Sequence, residues 1–217
     1  MDLKARNQLM RKDFTPIPTQ ETIMQQVARH KYRSVIDMSN AYYQVRVEEE
    51  DEQNNTITAG ILGARQVKVM LQGDCNAPAT MMRIMNTIFS DHLGDFIWIY
   101  LDDIDIFSNT KNEHIRHLRH VFDTLRTHEF YLRMDKCNLM TDKINLLGHT
   151  IRGNSITPTA ERIREIADFE PQNDIKQLQK FLGTVNYIGG HLPHIASSNG
   201  THWKRPLEMD SHTTTSI

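Results

Sequence analysis

The 217-residue sequence has few cysteines and no long apolar segment. Its two cysteines, Cys75 and Cys137, lie 62 positions apart and share no spacing typical of a zinc site. They predict free thiols in a reducing compartment rather than a zinc site or a disulfide framework. No apolar run approaches the roughly 18 residues of a membrane-spanning helix, and residues 1–12 lack the apolar core of a secretory signal. We therefore expect an intracellular protein that is neither secreted nor embedded in a membrane.

The sequence also lacks a strong net charge. It has 25 Lys and Arg against 27 Asp and Glu, which gives a net charge of −2. A nucleic-acid site would therefore depend on local clusters, such as the excess of four positive charges within residues 1–33. Residues 48–52 are uniformly acidic, which is typical of a solvated loop. With 39% hydrophobic residues, the chain can bury a core as one large domain or two small ones.

Apolar periodicity predicts a mixture of strands and helices. We predict strands at the following segments: 34–36, 66–71, 96–100, 104–107, 144–151 and 155–157. Helices are predicted over 20–30, 76–89 and 110–125, with two more after Pro158. The segment 96–107 is expected to form one hairpin, and 144–157 a second one that turns at 152–154.

An acidic pair, Asp102 and Asp103, stands at the tip of the first predicted hairpin. Isolated buried carboxylates either shift their pKa or pair with a cation, and residues 96–107 contain no Lys or Arg. Magnesium or manganese, which prefer hard oxygen ligands, would neutralise the pair. An ordinary acidic turn is the alternative. Asp37 follows another predicted strand, and a sheet that joins the two strands would give a three-aspartate site suited to two-metal phosphoryl transfer.

Seven blocks of sequence, in a consistent order, resemble the reverse transcriptases of Gypsy-type LTR retrotransposons. The blocks are Asp37 to Tyr42, Leu71-Gln72-Gly73, Asn76-Ala77-Pro78-Ala79-Thr80, Tyr100-Leu101-Asp102-Asp103, Lys136-Cys137, Leu147-Gly148-His149 and Phe181-Leu182-Gly183. Residues 2–7 also resemble the family's D-Y-R-A-L-N block. The resemblance implies an α+β fold, with an antiparallel palm sheet backed by two helices, partial fingers and a helical thumb. We expect partial fingers and palm over 1–153, a thumb-like region over 154–200 and a disordered tail over 201–217.

The resemblance implies a role for each matched residue. Asp37, Asp102 and Asp103 would bind two Mg²⁺ or Mn²⁺ ions, and Lys136 would lie near the triphosphate, where it could protonate the leaving pyrophosphate. Tyr42 would lie beneath the sugar of the incoming nucleotide, where its ring collides with a ribose 2′-OH. The other nucleotide-binding residues are Gln72, Gly73 and Lys4. The primer and template contacts are Asn76, Pro78, Tyr100, Leu147, Gly148 and His149.

The implied partners are dNTPs and an RNA or DNA template–primer duplex, inside a cytoplasmic particle or the nucleus. The ribonuclease H and integrase regions that normally follow are absent, and so are the finger strands whose cations hold the triphosphate. We therefore expect weak or no polymerase activity from this chain alone. Two further departures are Asp105, where the family has an apolar residue, and Asn54-Asn55-Thr56-Ile57 in place of K-T-A-F. Asp105 shares a face with Asp103 by strand alternation, so it either faces solvent or adds a charge to the site.

Two other functions are alternatives, and three histidines of one predicted helix need an interpretation. An RNA-directed RNA polymerase is one alternative, although Tyr42 argues against it. A retroelement relic that folds and binds nucleic acid without polymerising is the other. His114, His117 and His120 share one predicted helix, and we expect them on a solvated face.

Overall fold

The computed structural model describes residues 3–13, 15, 18–58, 61, 63–169 and 175–189. The chain divides into two compact units, Met1–Ile156 and Thr157–Ile217. The tail predicted over 201–217 lies outside the described residues. No helix in the described ranges combines the length and the hydrophobicity needed to cross a membrane.

The described residues contain six α-helices and nine β-strands. The helices are α1 (Lys4–Leu9), α2 (Gln20–Ala28), α3 (Ala77–Ile88), α4 (Lys111–Thr127), α5 (Ala160–Ala167) and α6 (Ile175–Gly189). The strands are β1 (Tyr32–Asp37), β2 (Thr56–Thr58), β3 (Ala64–Gln66), β4 (Ile97–Tyr100), β5 (Asp103–Ser108), β6 (Asn138–Thr141), β7 (Lys143–Leu146), β8 (His149–Arg152) and β9 (Ser155–Pro158). Short 3₁₀ helices occupy Ala41–Gln44 and Glu49–Asn54.

A four-stranded sheet forms the centre of the first unit. Its strand order is β4-β5-β1-β6, and β5 pairs antiparallel with both β1 and β4. One face packs against α3 and α4, where Met81, Met82 and Met85 are fully buried among the isoleucines of the sheet. The methionine stripe of α3 is therefore core, as its helical spacing predicts. The expected α+β fold, with an antiparallel sheet backed by two helices, is confirmed.

The opposite face of this sheet packs against α2 and a three-stranded sheet of order β7-β8-β9. Arg33 of β1 joins these parts, although it is 1% exposed. Its guanidinium donates to the carbonyls of Val27 (3.0 Å) and Ala28 (2.8 Å), which end α2. It also donates to the carbonyls of Asp142 (3.0 Å) and Gly153 (2.5 Å), which lie in the turns before β7 and after β8.

Two predicted strands are wrong in detail. The segment 144–151 is two strands rather than one, because Leu147 (φ +50°) and Gly148 (φ +74°) form a tight turn between β7 and β8. The strand predicted over 66–71 ends at Gln66. Beyond it, Lys68 O accepts from Val47 N (3.0 Å) and Met70 N donates to Val45 O (2.8 Å), so this stretch pairs irregularly with residues 45–47.

Of the three histidines of α4 that are predicted on a solvated face, His120 is exposed as predicted, whereas His114 and His117 are not. His114 is fully buried, with Nε2 at 2.7 Å from Ser34 Oγ and Nδ1 at 2.9 Å from Ser108 Oγ. Burial, together with the neighbouring His117, lowers the pKa of His114 to about 4. His117 stacks on Phe96 with ring centroids 3.9 Å apart. These side chains therefore fasten α4 to the sheet as neutral rings.

The second unit contains the two helices predicted after Pro158. Thr159 begins α5, where its hydroxyl accepts from Arg162 N. Helix α6 follows over Ile175–Gly189 and contains the Phe181-Leu182-Gly183 block. Phe181 stacks on Phe169 with ring centroids 4.3 Å apart, and α5 contacts α6. Both helix predictions are confirmed.

Candidate catalytic site

Asp37 and Asp103 lie directly opposite each other in the central sheet. Asp37 ends β1, Asp103 begins β5, and the two residues are register partners in the antiparallel pair. Residues opposite each other in such a pair project from the same face of the sheet. Asp102 precedes Asp103 in the hairpin turn, after Leu101, which has a φ of +56°. The structure therefore brings the three aspartates together at one end of the sheet.

The three carboxylates repel one another in a half-buried site. Burial, followed by the charges of Asp37 and Asp102, raises the pKa of Asp103 to about 6. Burial also raises the pKa of Asp102, a hydrogen bond from Tyr42 opposes that rise, and the charge of Asp37 adds to it. Asp102 Oδ1 is buried without a hydrogen-bond partner. A bound cation would relieve both the repulsion and this unsatisfied oxygen.

The chemistry of these donors fits a hard divalent cation, because all three are carboxylates. Within the described part of the chain, however, no three His, Cys, Asp or Glu side chains are already placed so that they could share one metal ion. Metal binding by Asp37, Asp102 and Asp103 therefore stays a prediction. The sheet register brings Asp37 and Asp103 to one face, and Asp102 lies in the adjoining turn.

Tyr42 is held against the carboxylate cluster. It lies in the 3₁₀ turn Ala41–Gln44, which leaves β1 through Asn40 in a left-handed conformation (φ +48°). Burial raises the pKa of Tyr42, and so do the charge of Asp102 and the hydrogen bond between the two side chains. The phenol therefore stays neutral, and its ring lies beside Asp102.

The segment that carries Lys136 packs beside Asp37. Arg133 N donates to Asp37 O (3.0 Å), and Lys136 N donates to Arg133 O (2.9 Å). Burial is the largest cause of the raised pKa of the Cys137 thiol, and the charge of Asp37 raises it further. The Lys136 side chain is exposed. The structure thus brings this segment to the cluster, while the triphosphate role of Lys136 stays a prediction.

The Gln72–Gly73 loop lies between the irregular segment and α3. Gly73 has a φ of +95°, a conformation that side-chain-bearing residues rarely adopt, and its carbonyl accepts from Asn7 Nδ2 (2.9 Å). Helix α1, which also carries Lys4, is therefore bound to this loop. Lys4 is exposed, and its nucleotide-binding role stays a prediction.

Asn76 and Pro78 begin α3 as predicted, but the side chain of Asn76 does not cap the helix. Its Nδ2 donates to Arg11 O (2.9 Å), and its Oδ1 accepts from Asp13 N (3.0 Å). Asn76 therefore fastens the chain after α1 to the start of α3.

The remaining predicted primer contacts lie on the α2 side of the central sheet. The Tyr100 hydroxyl is 2.7 Å from Gln20 Nε2, and both Tyr100 and Leu147 pack against the apolar cluster around α2. His149, which follows Gly148, is fully buried, with Nδ1 at 3.2 Å from Leu147 O. Tyr100, Leu147 and Gly148 are partly exposed, and the primer roles of these four residues stay predictions.

Asp105 neither faces solvent nor has a hydrogen-bond partner, so the first of the two alternatives for this residue is wrong. It is fully buried, between Val35 and Trp98 on the neighbouring strands. Both carboxyl oxygens lack a hydrogen bond. Burial, and then the charge of Asp103, raises its pKa well above the ordinary range. Asp105 is therefore a neutral acid in the core rather than a fourth charge in the site.

Comparison with known proteins identifies related sequences and folds. A family model described as reverse transcriptase (RNA-dependent DNA polymerase) matches residues 1–151. The Pol polyprotein of Drosophila melanogaster transposon 297 is 30% identical over 196 residues, which are 90% of this chain and 18% of that protein. The Tf2-3 polyprotein of Schizosaccharomyces pombe is 26% identical over 193 residues, which are 89% of this chain and 14% of that protein. The chain thus spans less than a fifth of the length of either relative.

The fold is that of a solved viral polymerase. A foamy viral protease–reverse transcriptase in complex with double-stranded DNA superposes with a TM-score of 0.79 at 23% identity, over 90% of this chain and 34% of that one. The same viral protein with an RNA/DNA hybrid gives a TM-score of 0.73 at 24% identity, over 86% of this chain and 25% of that one. The predicted resemblance to retrotransposon reverse transcriptases and the predicted polymerase fold are therefore both confirmed.

Proposed function

This chain belongs to the reverse transcriptase family, and from that premise we propose that it extends a primer with dNTPs on an RNA or DNA template. The observation that supports the proposal most strongly is the register of β1 and β5. It sets Asp37 opposite Asp103, beside Asp102 and Tyr42. The reaction would be attack of the primer 3′-hydroxyl on the α-phosphorus of the nucleotide, with release of pyrophosphate.

We assign the metal site to Asp37, Asp102 and Asp103. Magnesium or manganese bound there would activate the primer hydroxyl and stabilise the charge of the leaving pyrophosphate. The three aspartates place negative charges close together at the end of the sheet. Burial and the neighbouring carboxylates raise the pKa of Asp102 and of Asp103 there. A cation is therefore favoured over three unpaired carboxylates. Lys136, on the segment bonded to Asp37, would supply a positive charge and a proton to the leaving group.

Tyr42 would select deoxynucleotides. Its ring lies beside Asp102, and burial and the charge of that carboxylate keep the phenol neutral by raising its pKa. A rigid ring beneath the sugar leaves no room for a 2′-hydroxyl, whereas an RNA-synthesising enzyme would need space and a hydrogen-bond partner for that group. This contact favours DNA synthesis over the alternative of RNA synthesis.

The proposed partners are a template–primer duplex and dNTPs. The turn at Leu147–Gly148 and the start of α3 at Asn76–Pro78 would meet the primer and template. Basic residues within 1–33 would neutralise phosphates. Since the relatives are polyproteins, we propose that this chain acts beside ribonuclease H and integrase regions, in a cytoplasmic particle or the nucleus.

The test is primer extension on an RNA template with a DNA primer, Mg²⁺ and four dNTPs. The chain is assayed alone and joined to flanking sequence of the transposon 297 polyprotein, because the aligned segment covers only 18% of that relative. We expect weak or no extension by the chain alone. From the joined form we expect template-directed extension that EDTA abolishes and that Asp103→Asn reduces by about three orders of magnitude. Asp123→Asn, at an exposed position of α4, should leave the rate unchanged. Duplex binding without extension in either form would instead identify a non-catalytic relic.

A further inference from the structure

Helix α1 has little stability of its own. It contains six residues, its N-cap residue Leu3 makes no side-chain capping bond, and its first turn has no acidic residue. Isolated helices of this length are not stable in water, so the place of α1 depends on contacts with the rest of the unit.

Arg6 provides the strongest of these contacts, and it joins two separate segments at once. Its Nη2 lies 2.6 Å from Asp74 Oδ2, and its Nη1 donates to Asn55 Oδ1 at 2.5 Å. Asp74 is 7% exposed and Asn55 is 1% exposed. Hydrogen bonds that carry a charge are stronger and more directional than neutral ones, and low solvent access strengthens them further.

Each partner of Arg6 fixes a neighbouring backbone segment. Asp74 Oδ1 accepts from Asn76 N (3.1 Å), so this carboxylate also holds the chain entering α3. Asn55 Nδ2 donates to Val67 O (2.5 Å) and Val69 O (2.8 Å), which holds the segment leading into the Gln72–Gly73 loop.

Asn7, the next residue of α1, completes the attachment. Its Nδ2 donates to Gly73 O (2.9 Å), and its Oδ1 accepts from Cys75 N (3.0 Å). Helix α1 therefore contacts Gly73, Asp74 and Cys75 of the loop, and through Arg6 it also contacts Asn55, which precedes β2. Gln72 is exposed and directly precedes these loop residues.

We propose that Arg6 is a positioning residue, which holds the Gln72–Gly73 loop in the conformation that receives the incoming nucleotide. This inference rests on the proposed polymerase function. In the D-Y-R-A-L-N block that residues 2–7 resemble, the position of Arg6 is a leucine, which cannot donate to Asp74 or Asn55. The Arg6–Asp74 ion pair therefore gives this chain a charged contact at a position where the family block has an apolar side chain.

The contacts of Arg6 should affect the affinity for the nucleotide rather than the rate of the chemical step. When a binding loop is only partly in its competent conformation, the apparent dissociation constant rises by the inverse of the competent fraction. Once the nucleotide is bound, the loop is ordered and the aspartates are unchanged. Loss of Arg6 should therefore raise the KM for dNTP and leave kcat nearly constant.

The experiment compares Arg6→Met, Arg6→Lys and Asp74→Asn with the unmodified chain. Arg6→Met keeps the aliphatic stem and removes every donor, whereas Arg6→Lys keeps the charge but has no fork to reach both partners. The control is Arg126→Met, which breaks an exposed ion pair with Asp123 on α4. Amide hydrogen exchange over 66–76 and the kinetics of single-dNTP incorporation are measured for each variant.

For Arg6→Met we expect exchange in 66–76 to accelerate about tenfold, with β1 and β5 unchanged, and the KM for dNTP to rise about tenfold with kcat within about twofold. Arg6→Lys should restore part of both effects, Asp74→Asn should resemble Arg6→Met, and Arg126→Met should change neither. Unchanged exchange in the loop, or a fall in kcat at constant KM, would overturn the inference. If neither the chain alone nor the form joined to flanking polyprotein sequence extends a primer, the proposed function fails, while the exchange data still decide whether Arg6 orders the loop.

Discussion

At the scale of single residues, Asp103 and Asp105 lie on the same strand, but one belongs to the carboxylate cluster and the other to the core. Asp103 is half-buried at the strand end, beside two other carboxylates. Asp105 is one pleat further along the same face, enclosed and without a hydrogen bond. Sequence alternation predicts their shared face, but it does not predict that the second carboxyl is sealed between Val35 and Trp98, because burial depends on how α2 and the small sheet cover that face.

Replacing Asp105 should stabilise the protein. A raised pKa in the folded state means that the folded protein holds a proton that the unfolded chain releases above about pH 4. Its contribution to stability is therefore highest at low pH and is lost as the pH rises. Asp105→Leu should raise the free energy of unfolding by about 1–3 kcal/mol at pH 8, and by less at pH 5. Urea unfolding at both values measures this, and a less stable Asp105→Leu at pH 8 would refute it.

His114 should make the protein sensitive to mild acid. Its folded pKa of about 4 lies below the ordinary value of 6.5, so the unfolded chain takes up the proton first. Stability is therefore complete above pH 6.5 and declines as the pH falls towards 4, by up to about 3 kcal/mol. His114→Gln should be less stable at pH 7.5 but flatter between 7.5 and 5. His128→Gln, at the exposed end of the same helix, should follow the unmodified curve; equal slopes for all three would contradict this account.

Tyr42 should control sugar selectivity. Tyr42→Ala removes the ring that is bonded to Asp102 and opens space beneath the nucleotide sugar. The ratio of ribonucleotide to deoxynucleotide incorporation should rise by at least about tenfold, measured by single-nucleotide extension. Tyr43→Ala, at the exposed neighbouring position, is the matched control. A ratio that Tyr42→Ala leaves unchanged would remove Tyr42 from nucleotide selection.

At the scale of elements, long and strongly patterned segments were predictable and short ones were not. The apolar spacing of α3 and α4 and the hairpin β4–β5 follow directly from local sequence. The capping box at Thr110 and Glu113 is present as well. By contrast, the turn at Leu147–Gly148 requires a left-handed leucine, which local preference disfavours and the packing of β7 and β8 imposes.

Arg33 should be decisive for the attachment of the small sheet. Its loss leaves four carbonyl groups at the end of α2 and in two turns without their donor. Arg33→Met should lower the free energy of unfolding by about 3 kcal/mol, because buried acceptors left unpaired each carry a desolvation cost. Arg29→Met, which removes an exposed guanidinium at the end of the same helix, should cost less than about 0.5 kcal/mol. Similar losses in the two variants would contradict this role.

At the scale of the whole molecule, the order of motifs in the sequence predicts the residues of the candidate site better than it predicts the contacts that hold the surrounding segments in place. The aspartates, Tyr42 and the Lys136 segment converge because β1, β5 and residues 133–137 meet at one end of the sheet. The sequence does not predict the contacts of Arg6 with Asp74 and Asn55, or the four carbonyls that Arg33 binds. The partners of Arg6 lie 49 and 68 positions away in sequence, and two of the four partners of Arg33 lie 109 and 120 positions away, so no local pattern identifies these contacts.

The central claim is that Asp37, Asp102 and Asp103 together hold divalent metal, although no three side chains in the described ranges are arranged to share an ion as they stand. The most direct measurement is a titration with Mn²⁺ at pH 7.5, with free ion followed by its paramagnetic resonance signal. We predict two bound ions for the unmodified chain in the presence of dNTP and template–primer, a loss of at least one ion in Asp37→Asn and in Asp103→Asn, and unchanged binding in Asp123→Asn. Identical titrations of all four proteins would contradict the claim.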